Sequence, residues 1–267
     1  MTEPNNARPA AVITGASDGI GAELARVFAE KGHEVAIVAR RGDRLEALAD
    51  AIAAKGANRP TVVELDLLSD GAVEMLAARL AEAGLSVQYL VNNAGFGLMG
   101  RIADLDEAEQ LAMIDLNIRA LTALTLRFLP SVTATRGGVL NVASVASFMP
   151  GPGFAVYYAT KAFVRSFSEA ISHELAPAGV KVSCLCPGPV ITGFQARAGM
   201  SFDGIMGAMK PALVPAEDVA RQGYEGLMAG RRIVIPGAVN KAMVWSARLS
   251  PRALLLPLLG AAQVKRS

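Results

Sequence analysis

The sequence predicts an α/β fold in which one doubly wound parallel sheet of about seven strands carries helices on both faces. Short β-branched runs alternate with longer segments rich in Ala, Leu, Glu and Arg that have helical periodicity. The strand runs are apolar throughout, which is typical of strands buried on both faces. The chain has 267 residues and is 52 % hydrophobic, so it can bury a large core, and residues 1–267 are expected to form a single domain.

The individual elements follow from these two patterns in order. Apolar, β-branched runs predict strands at residues 10–14, 34–39, 61–65, 87–92, 138–142, 180–186 and 232–235. Segments with helical spacing of apolar residues predict helices at 20–31, 44–55, 72–83, 107–128, 155–175 and 216–229. Residues 187–215 are rich in loop-forming residues and are expected to form a substrate lid, and residues 240–267 form a C-terminal tail.

Charge and composition exclude several classes of function. The net charge is only +2, no basic run is present, and aromatic residues make up 5 %, so no nucleic-acid partner is expected. Residues 1–9 are polar and do not resemble a signal peptide. No apolar run reaches the roughly 20 residues that span a bilayer. These features predict a cytoplasmic, enzyme-sized protein.

The cysteines and histidines do not form a metal-binding pattern. Cys184 and Cys186 lie two residues apart on a predicted strand, and no second pair completes a zinc site. They are expected to be small buried residues in a reducing compartment. His33 and His173 add no metal-ligand spacing, so no metal is expected.

A glycine-rich loop, Thr-Gly-Ala-Ser-Asp-Gly-Ile-Gly, lies directly between the first predicted strand and the first predicted helix. Its glycines are Gly15, Gly19 and Gly21. Glycine permits a tight turn, close approach of a phosphate and close packing of helix on strand, and the helix N-terminus offers free amides to a pyrophosphate. The loop therefore predicts a Rossmann-type dinucleotide-binding sheet.

A Tyr-x-x-x-Lys pair lies on the predicted helix 155–175. Tyr157 and Lys161 are four residues apart and share one helix face, whereas Tyr158 has Ala162 at the same spacing. A nearby ammonium group lowers the pKa of a tyrosine from about 10, which suits a proton donor or acceptor near neutral pH. The spacing therefore selects Tyr157.

Together these motifs resemble the short-chain dehydrogenase/reductase family in its single-domain form, over residues 8–236. The resemblance implies hydride transfer between a nicotinamide cofactor and a carbonyl or secondary alcohol. Ser144 stands 13 residues before Tyr157 at a strand end, as in the family, whereas the nearby Ser147 does not match. Asn117 matches the residue that holds a water connected to the lysine. The implied catalytic residues are Asn117, Ser144, Tyr157 and Lys161.

The same resemblance implies which strand ends contact the cofactor. Asp66 matches the acid that meets the adenine amino group, and Asn93 matches the residue that helps to hold the sheet. Val190 and Thr192 match residues that meet the nicotinamide carboxamide. The residues expected to bind the cofactor are Gly15, Ser17, Asp18, Gly19, Ile20, Gly21, Arg40, Arg41, Asp66, Leu67, Asn93, Ala94, Gly95, Tyr157, Lys161, Pro187, Gly188, Val190 and Thr192.

The end of the second strand favours NADP(H), with NAD(H) left open. An NAD-selective site places a carboxylate there for the ribose 2′-hydroxyl, and none is present. Asp43 comes later and resembles a helix cap. Arg40 and Arg41 can pair with a 2′-phosphate, although a solvated surface is the alternative. Asp18 stands against NADP(H), because NADP-preferring relatives often carry a basic residue at that position.

The segments expected to line the substrate site are apolar, which favours a lipophilic carbonyl or alcohol. Arg197 and Lys210 are interpreted as surface residues rather than as ligands of a substrate carboxylate. The expected lining residues are Phe96, Leu98, Met99, Phe148, Met149, Phe154, Phe194, Met206 and Met209.

A second class of function remains open: a non-catalytic dinucleotide-sensing or interaction protein on the same fold. A sensor has no need of all four catalytic residues, so the intact group favours an enzyme. The resemblance also implies a homodimer or homotetramer built on the helices 107–128 and 155–175. The apolar tail is expected to pack on a partner subunit, with covering of the active site and contact with a membrane interface as the second and third alternatives.

Overall fold

The computed structural model describes residues 7–199 and 210–264. Its strands pair in parallel in one sheet of order β3–β2–β1–β4–β5–β6–β7. Their bounds are β1 (Arg8–Thr14), β2 (Glu34–Ala39), β3 (Thr61–Glu64), β4 (Leu85–Asn92), β5 (Gly138–Val142), β6 (Lys181–Leu185) and β7 (Ile233–Val234). This parallel, seven-stranded arrangement confirms the predicted fold class.

The helices that connect and follow the strands lie mostly where the sequence predicts them. Their bounds are α1 (Gly19–Glu30), α2 (Gly42–Ala53), α3 (Ala72–Glu82), α4 (Glu107–Ile114), α5 (Leu121–Ala134), α6 (Ala155–Leu175), α7 (Phe194–Arg197), α8 (Ala216–Met228), α9 (Ala238–Leu249) and α10 (Arg252–Val264). A π-helical turn, Asp115–Ala120, joins α4 to α5. Among the described residues, no helix combines the length and the apolar character needed to cross a membrane.

The sheet is buried on both faces, as its continuous apolar strands predict. Along β1, Ala11 and Ile13 face one layer of helices, and Ala10 and Val12 face the other. The first layer is formed by α1, α2 and α8 and the second by α3, α5 and α6. Representative helix residues are Leu24, Phe28, Leu45 and Val219 in the first layer, and Leu76, Leu80, Leu124 and Phe128 in the second.

The winding of the sheet fixes where a ligand can bind. β1 pairs with β2 on one side and with β4 on the other, so the strand order reverses between β1 and β4. In open α/β sheets, ligands bind outside the carboxyl ends of the strands at such a switch point. Thr14 and Asn92, the last residues of β1 and β4, mark this edge.

A buried polar network holds β4 and β5 to the helices that cover them. The Asn92 side-chain amide donates to Thr125 Oγ1 at 3.1 Å and to Asn141 Oδ1 at 2.9 Å. The Asn141 amide donates in turn to Ser168 Oγ at 2.9 Å. β4, β5, α5 and α6 are therefore joined by directional bonds as well as by packing, which fixes β5 relative to α6.

The structure departs from the predicted elements in three places. The single helix predicted at 107–128 is divided into α4, the π-helical turn and α5, which ends at Ala134. Residues 238–264 form the helices α9 and α10, where the sequence predicts only a tail. Asp43, predicted to cap a helix, lies instead inside the first turn of α2, because the N-cap position is occupied by Arg41. The last part of the predicted lid, residues 200–209, lies outside the described residues.

Candidate active site

A cleft of about 710 Å³ lies beyond the carboxyl ends of the strands. It runs from the glycine loop and the end of β2 to the start of α6. All the residues predicted for the cofactor line it, except Gly21, and three of the four predicted catalytic residues, Ser144, Tyr157 and Lys161, line it as well. Asn117 and Gly21 lie just behind its wall.

The glycine loop has the backbone shape that its sequence predicts. Gly15 and Gly19 have φ angles of +66° and +55°, a region that favours glycine. Gly21 has no such angle, but a Cβ there would lie 2.4 Å from the carbonyl oxygen of Gly15 and from Asn93 Nδ2. Gly21 therefore permits close packing of α1 against the strands instead of touching the cleft.

Asn93 joins the loop to the end of β4. Its side-chain amide donates to the carbonyl oxygens of Thr14 and Gly15 at 2.8 and 3.1 Å. Thr14 Oγ1 accepts from the backbone amides of Asn93 and Ala94 at 3.0 and 3.1 Å. These reciprocal bonds hold the floor of the cleft in one geometry, as the predicted sheet-holding role of Asn93 requires.

One end of the cleft carries a cluster of arginines and acids. Arg41 donates to Ser17 Oγ through Nε at 3.2 Å and through Nη2 at 2.9 Å. Asp18 caps α1 by accepting from the Gly19 amide at 2.7 Å, and its other oxygen lies 3.9 Å from Arg41 and 3.7 Å from Arg44. Asp18 is therefore a helix cap held between two guanidinium groups. Arg44, which sequence reasoning missed, stands in the first turn of α2, where helix periodicity brings it back to the loop.

Beside this cluster lie the ends of β2 and β3. Arg40 Nη1 is 3.7 Å from Asp66 Oδ2, and Asp66 Oδ1 accepts from the Leu68 amide at 3.0 Å. Both side chains are largely exposed and line the cleft together with Leu67. The cluster thus presents cations and hydrogen-bond donors at the strand end that the sequence assigns to the ribose.

Tyr157 lies at the other end of the cleft, where its ring is buried against Phe154 with centroids 4.5 Å apart. Its pKa is raised, because burial disfavours the phenolate more than a hydrogen bond with Ser144 favours it. The prediction that Lys161 lowers this pKa is therefore wrong for the structure as it stands. The Lys161 ammonium lies 5.8 Å from the ring centroid, and desolvation of the buried hydroxyl has the largest effect on the pKa.

Lys161 is buried directly beneath the tyrosine. Its Nζ donates to the carbonyl oxygen of Val142 at 2.9 Å, at the end of β5. Burial lowers its pKa to about 8 from 10.5. The ammonium is thus held by a backbone acceptor and loses its proton more readily than an ordinary lysine.

Ser144 follows β5 directly and begins a 3₁₀ turn, Val145–Phe148, with its side chain as the cap. Its Oγ accepts from the Ala146 amide at 3.2 Å and lies 3.4 Å from the Pro187 carbonyl oxygen. Ser147, the rival by residue type, is buried against Cys186 and does not line the cleft. The turn therefore orients Ser144 toward the cleft and Ser147 away from it.

Asn117 occupies the π-helical turn between α4 and α5. Its side chain exchanges hydrogen bonds with the Phe96 amide and carbonyl at 3.1 and 3.0 Å and donates to Thr160 Oγ1 at 3.0 Å. A Cβ on Gly95 would lie 2.7 Å from Asn117 Oδ1 and 3.5 Å from Lys161 Nζ. Asn117 is therefore buried next to the lysine with only Gly95 between them, and π-turns of this kind are frequent at functional sites.

The remaining wall of the cleft is mostly apolar. Phe96, Met99, Met149, Phe154 and Phe194 line it as predicted. Two other predicted residues do not. Phe148 packs below the site with Arg165 over its ring at 4.6 Å, and Leu98 packs beside Phe96. Met206 and Met209 lie outside the described residues, as does the Lys210 side chain.

The C-terminal helices contribute lining residues that sequence reasoning missed. Met243 of α9 and Leu259 of α10 line the cleft. Asn240 of α9 is fully buried and donates to the carbonyl oxygens of Ala212 and Pro236, both at 2.9 Å. A Cβ on Gly188 would lie 2.3 Å from its Oδ1, so α9 closes tightly on the loop after β6.

Arg197 is paired within the cleft wall. Its Nη2 lies 2.6 Å from Glu109 Oε2, and its guanidinium stands 4.6 Å above the Phe96 ring. Both charged side chains line the cleft and are about half exposed. Among the described residues that line the tyrosine end of the cleft, the arginine is thus already paired with a carboxylate.

Comparisons with known proteins agree with this geometry. The short chain dehydrogenase family matches residues 9–200. Sulfoacetaldehyde reductase 2 of Chromohalobacter salexigens is 38 % identical over 68 % of this chain and 73 % of that protein. A short-chain dehydrogenase from Sphingobium yanoikuyae, solved with NADPH, is 31 % identical, with a TM-score of 0.78 over 93 % of this chain and 95 % of its own.

A solved 7β-hydroxysteroid dehydrogenase is similar over an even larger share of the molecule. It is 27 % identical, with a TM-score of 0.82 over 97 % of this chain and all of its own. Family match, fold and cleft geometry lead to the same conclusion. This chain belongs to the short-chain dehydrogenase/reductase family and is an oxidoreductase of that type.

Proposed function

We propose that the protein transfers a hydride between NADP(H) and the carbonyl or secondary alcohol of an uncharged, lipophilic substrate. The observation that carries this proposal is one continuous cleft. It holds the hydrogen-bonded Ser144–Tyr157 pair at one end and the Arg40–Arg41 cluster at the other. A site for chemistry and a site for a dinucleotide thus share one wall.

The cleft fits a nicotinamide dinucleotide. The positive dipole end of α1 begins at the glycine loop, where Gly15 and Gly19 leave no side chain in the way of a pyrophosphate. Arg41 and Ser17 form a ready-made donor pair for a 2′-phosphate. The acid that would repel this phosphate, Asp18, caps α1 and lies within 4 Å of two guanidinium groups, which partly offset its charge. When bound, the cofactor supplies or accepts the hydride.

The protein's own residues handle the proton. Tyr157 is protonated at neutral pH, as tyrosines ordinarily are, and burial raises its pKa further, so its hydroxyl can donate a proton to a carbonyl oxygen during reduction. Ser144 donates a second hydrogen bond to the same oxygen as charge develops there. Lys161, with a pKa of about 8, and the adjacent Asn117 are placed to return a proton toward the tyrosine.

An uncharged substrate is supported by the state of Arg197. This guanidinium is paired with Glu109 and stacked on Phe96, so it has little capacity left for a substrate carboxylate. The rest of the wall is aromatic and methionine-rich. The steroid class named for the 7β-hydroxysteroid dehydrogenase fits such a wall better than the anionic aldehyde named for the sulfoacetaldehyde reductase.

The test is a Tyr157→Phe variant assayed against a panel of apolar ketones and aldehydes, following the loss of NADPH absorbance. We expect cofactor binding to persist and turnover to fall by at least about a hundredfold, the usual contribution of a positioned acid. Tyr224→Phe, which removes a hydroxyl far from the cleft, is the control and should keep normal turnover. Normal rates in Tyr157→Phe would refute the assignment.

We also propose that the protein is a cytoplasmic homo-oligomer assembled through α4, α5 and α6. Leu111 and Leu126 are more than half exposed, and Phe163 is exposed and stacked on Phe167, so these helices present apolar surface outward. Both cysteines are free and buried, which fits a reducing compartment. Sedimentation equilibrium of wild type and of Leu126→Lys tests the assembly, which the lysine should weaken.

A further inference from the structure

The outward face of α9 carries a row of apolar residues. Ala238, Ala242, Trp245 and Leu249 follow one another at helical spacing and are all exposed. Trp245 is 61 % exposed and Leu249 is 79 % exposed. Among the described residues, Leu249 has the highest exposure of any large hydrophobic side chain. A solvated tryptophan and leucine in one row need an explanation beyond chance.

The opposite face of α9 packs against the rest of the protein, so the exposed row does not belong to a loosely attached end of the chain. Asn240, Val244 and Ala247 are buried, and Val244 packs in the same cluster as Phe148 and Cys184. The helix is therefore seated on the body of the protein by its inner face. Its outer row is held in one orientation.

Basic residues flank the apolar row. Lys241, Arg248 and Arg252 are exposed, and the Arg248 guanidinium lies 5.6 Å from the centroid of the Trp245 ring. The thirty residues from 238 to 267 contain five basic and no acidic residues, whereas the whole chain has a net charge of +2. The positive charge of the molecule is therefore concentrated at this end, and residues 1–237 are net negative.

The neighbouring helix α10 extends the same surface and also reaches the cleft. Leu256 is 41 % exposed, Leu255 is buried, and Leu259 lines the cleft beside Met243 of α9. The two helices thus present an apolar, basic surface on the outside and an apolar wall of the cleft on the inside.

We propose that α9 and α10 dock this enzyme on an anionic lipid surface, with Trp245 and Leu249 at the level of the headgroups and Lys241, Arg248 and Arg252 on the lipid phosphates. Helices with an apolar row, basic flanks and an interfacial tryptophan bind such surfaces, and each basic residue adds electrostatic attraction. If the proposed function holds, docking brings the wall formed by Met243 and Leu259 close to the phase where lipophilic substrates dissolve.

A second copy of the chain is the less favourable occupant. A two-fold interface uses the same patch on both protomers, so it would bring the basic residues of one tail against those of the other. The tail has no acidic residue to offset this repulsion. An anionic bilayer complements both the charge and the apolar row.

The experiment is co-sedimentation of the full-length protein with vesicles of phosphatidylcholine alone or with one part phosphatidylserine in about three, a charge density at which polybasic segments bind. We expect binding to the anionic vesicles only. Trp245→Ser with Leu249→Ser, and separately Arg248→Gln with Arg252→Gln, should each lower the partition coefficient by roughly tenfold or more. Ile102→Ser and Arg221→Gln, which are also exposed but lie on other elements, should leave the partition coefficient unchanged.

Three results would overturn the proposal. In the first, the wild type does not bind to anionic vesicles. In the second, it binds equally to both vesicle types. In the third, binding persists in both of the doubly substituted variants. If the wild type fails to bind and the Trp245→Ser, Leu249→Ser variant loses its oligomeric state in lipid-free sedimentation, the face is a subunit interface. Vesicle binding is measured without substrate or cofactor, so its outcome is independent of whether the proposed reaction is correct.

Discussion

The proposed preference for NADP(H) rests on two arginines at the end of β2, and removing both tests it directly. In the Arg40→Ala, Arg41→Ala variant the cleft keeps its glycine loop and its tyrosine end. Only the two cations expected to face the ribose are lost. NADPH and NADH differ only in the 2′-phosphate. If Arg40 and Arg41 bind this phosphate, the variant should lose affinity for NADPH and keep most of its affinity for NADH.

The size of the loss follows from the exposure of the two side chains. A hydrogen bond to a charged group contributes about 1.5–3 kcal/mol. Arg41 is 46 % exposed and Arg40 is 65 % exposed, so screening by solvent places each near the lower end of that range. Losing one arginine should therefore weaken NADPH binding about tenfold, and losing both about a hundredfold. NADH binding should change less than about threefold, since its 2′-hydroxyl carries no charge to pair.

Calorimetric titration of the purified protein with each cofactor measures both affinities without any knowledge of the substrate. Arg221→Ala is a matched control, because Arg221 is 45 % exposed and paired with Glu217 on α8, outside the cleft. The wild-type preference for NADPH should also shrink as salt is added. Equal losses for the two cofactors would refute the reasoning, and tighter binding of NADH by the wild type would mean that Asp18 governs the ribose.

Three further predictions concern the core, the buried lysine and substrate charge. Phe28 is fully buried and its ring contacts the rings of His33, Tyr89 and Tyr224, so Phe28→Ala should lower the free energy of unfolding by about 3–5 kcal/mol. The exposed Ile102→Ala is the control and should lower it by less than about 0.5 kcal/mol. Urea denaturation measures both values. Lys161 has a pKa of about 8 in the folded protein and 10.5 ordinarily, so between these values the unfolded chain binds more protons. Between pH 8 and pH 10.5, the free energy of unfolding of the cofactor-free wild type should therefore rise by about 3 kcal/mol relative to that of Lys161→Met. If the free energies of unfolding of the two proteins changed in parallel with pH, this prediction would be wrong. Glu109→Gln frees Arg197 from its ion pair, so kcat/KM for an aldehyde that bears a carboxylate should rise about tenfold relative to kcat/KM for its uncharged analogue. Adding Arg197→Gln to this variant should abolish the gain.

Most of the sheet could be predicted from sequence because its strands are buried on both faces. β2 and β5 have the predicted bounds, since an apolar run such as Gly-Val-Leu-Asn-Val has no polar alternation to blur its ends. The bounds of α6 are also those predicted. The helices α9 and α10 were missed for the converse reason. α9 carries an apolar row on its solvent side, and α10 is apolar on most sides and contains Pro257, so neither shows the usual single apolar face.

The candidate site shows a similar division. Spacing alone brought Tyr157 and Lys161 to one helix face. Ser17, Arg41 and Asp66 line one cleft because they lie in the loops that follow β1, β2 and β3. Spacing does not report burial, however, and burial decides the pKa of Tyr157. It also does not report partners distant in sequence. The pairing of Arg197 with Glu109 joins residues 88 positions apart, and nothing in either local sequence indicates it.

The buried Asn240 makes the C-terminal segment a structural part of the enzyme rather than a removable appendage. Its amide serves two backbone carbonyls, one before α8 and one after β7, while its side chain fills the space beside Gly188 on the cofactor side of the cleft. A chain shortened before α9 would leave both carbonyls without this donor and would open a void next to the loop after β6. Shortened forms of the protein would therefore be expected to lose cofactor affinity as well as the surface contacts of α9. Point substitutions on the outer row of α9 change the surface contacts and leave Asn240 in place.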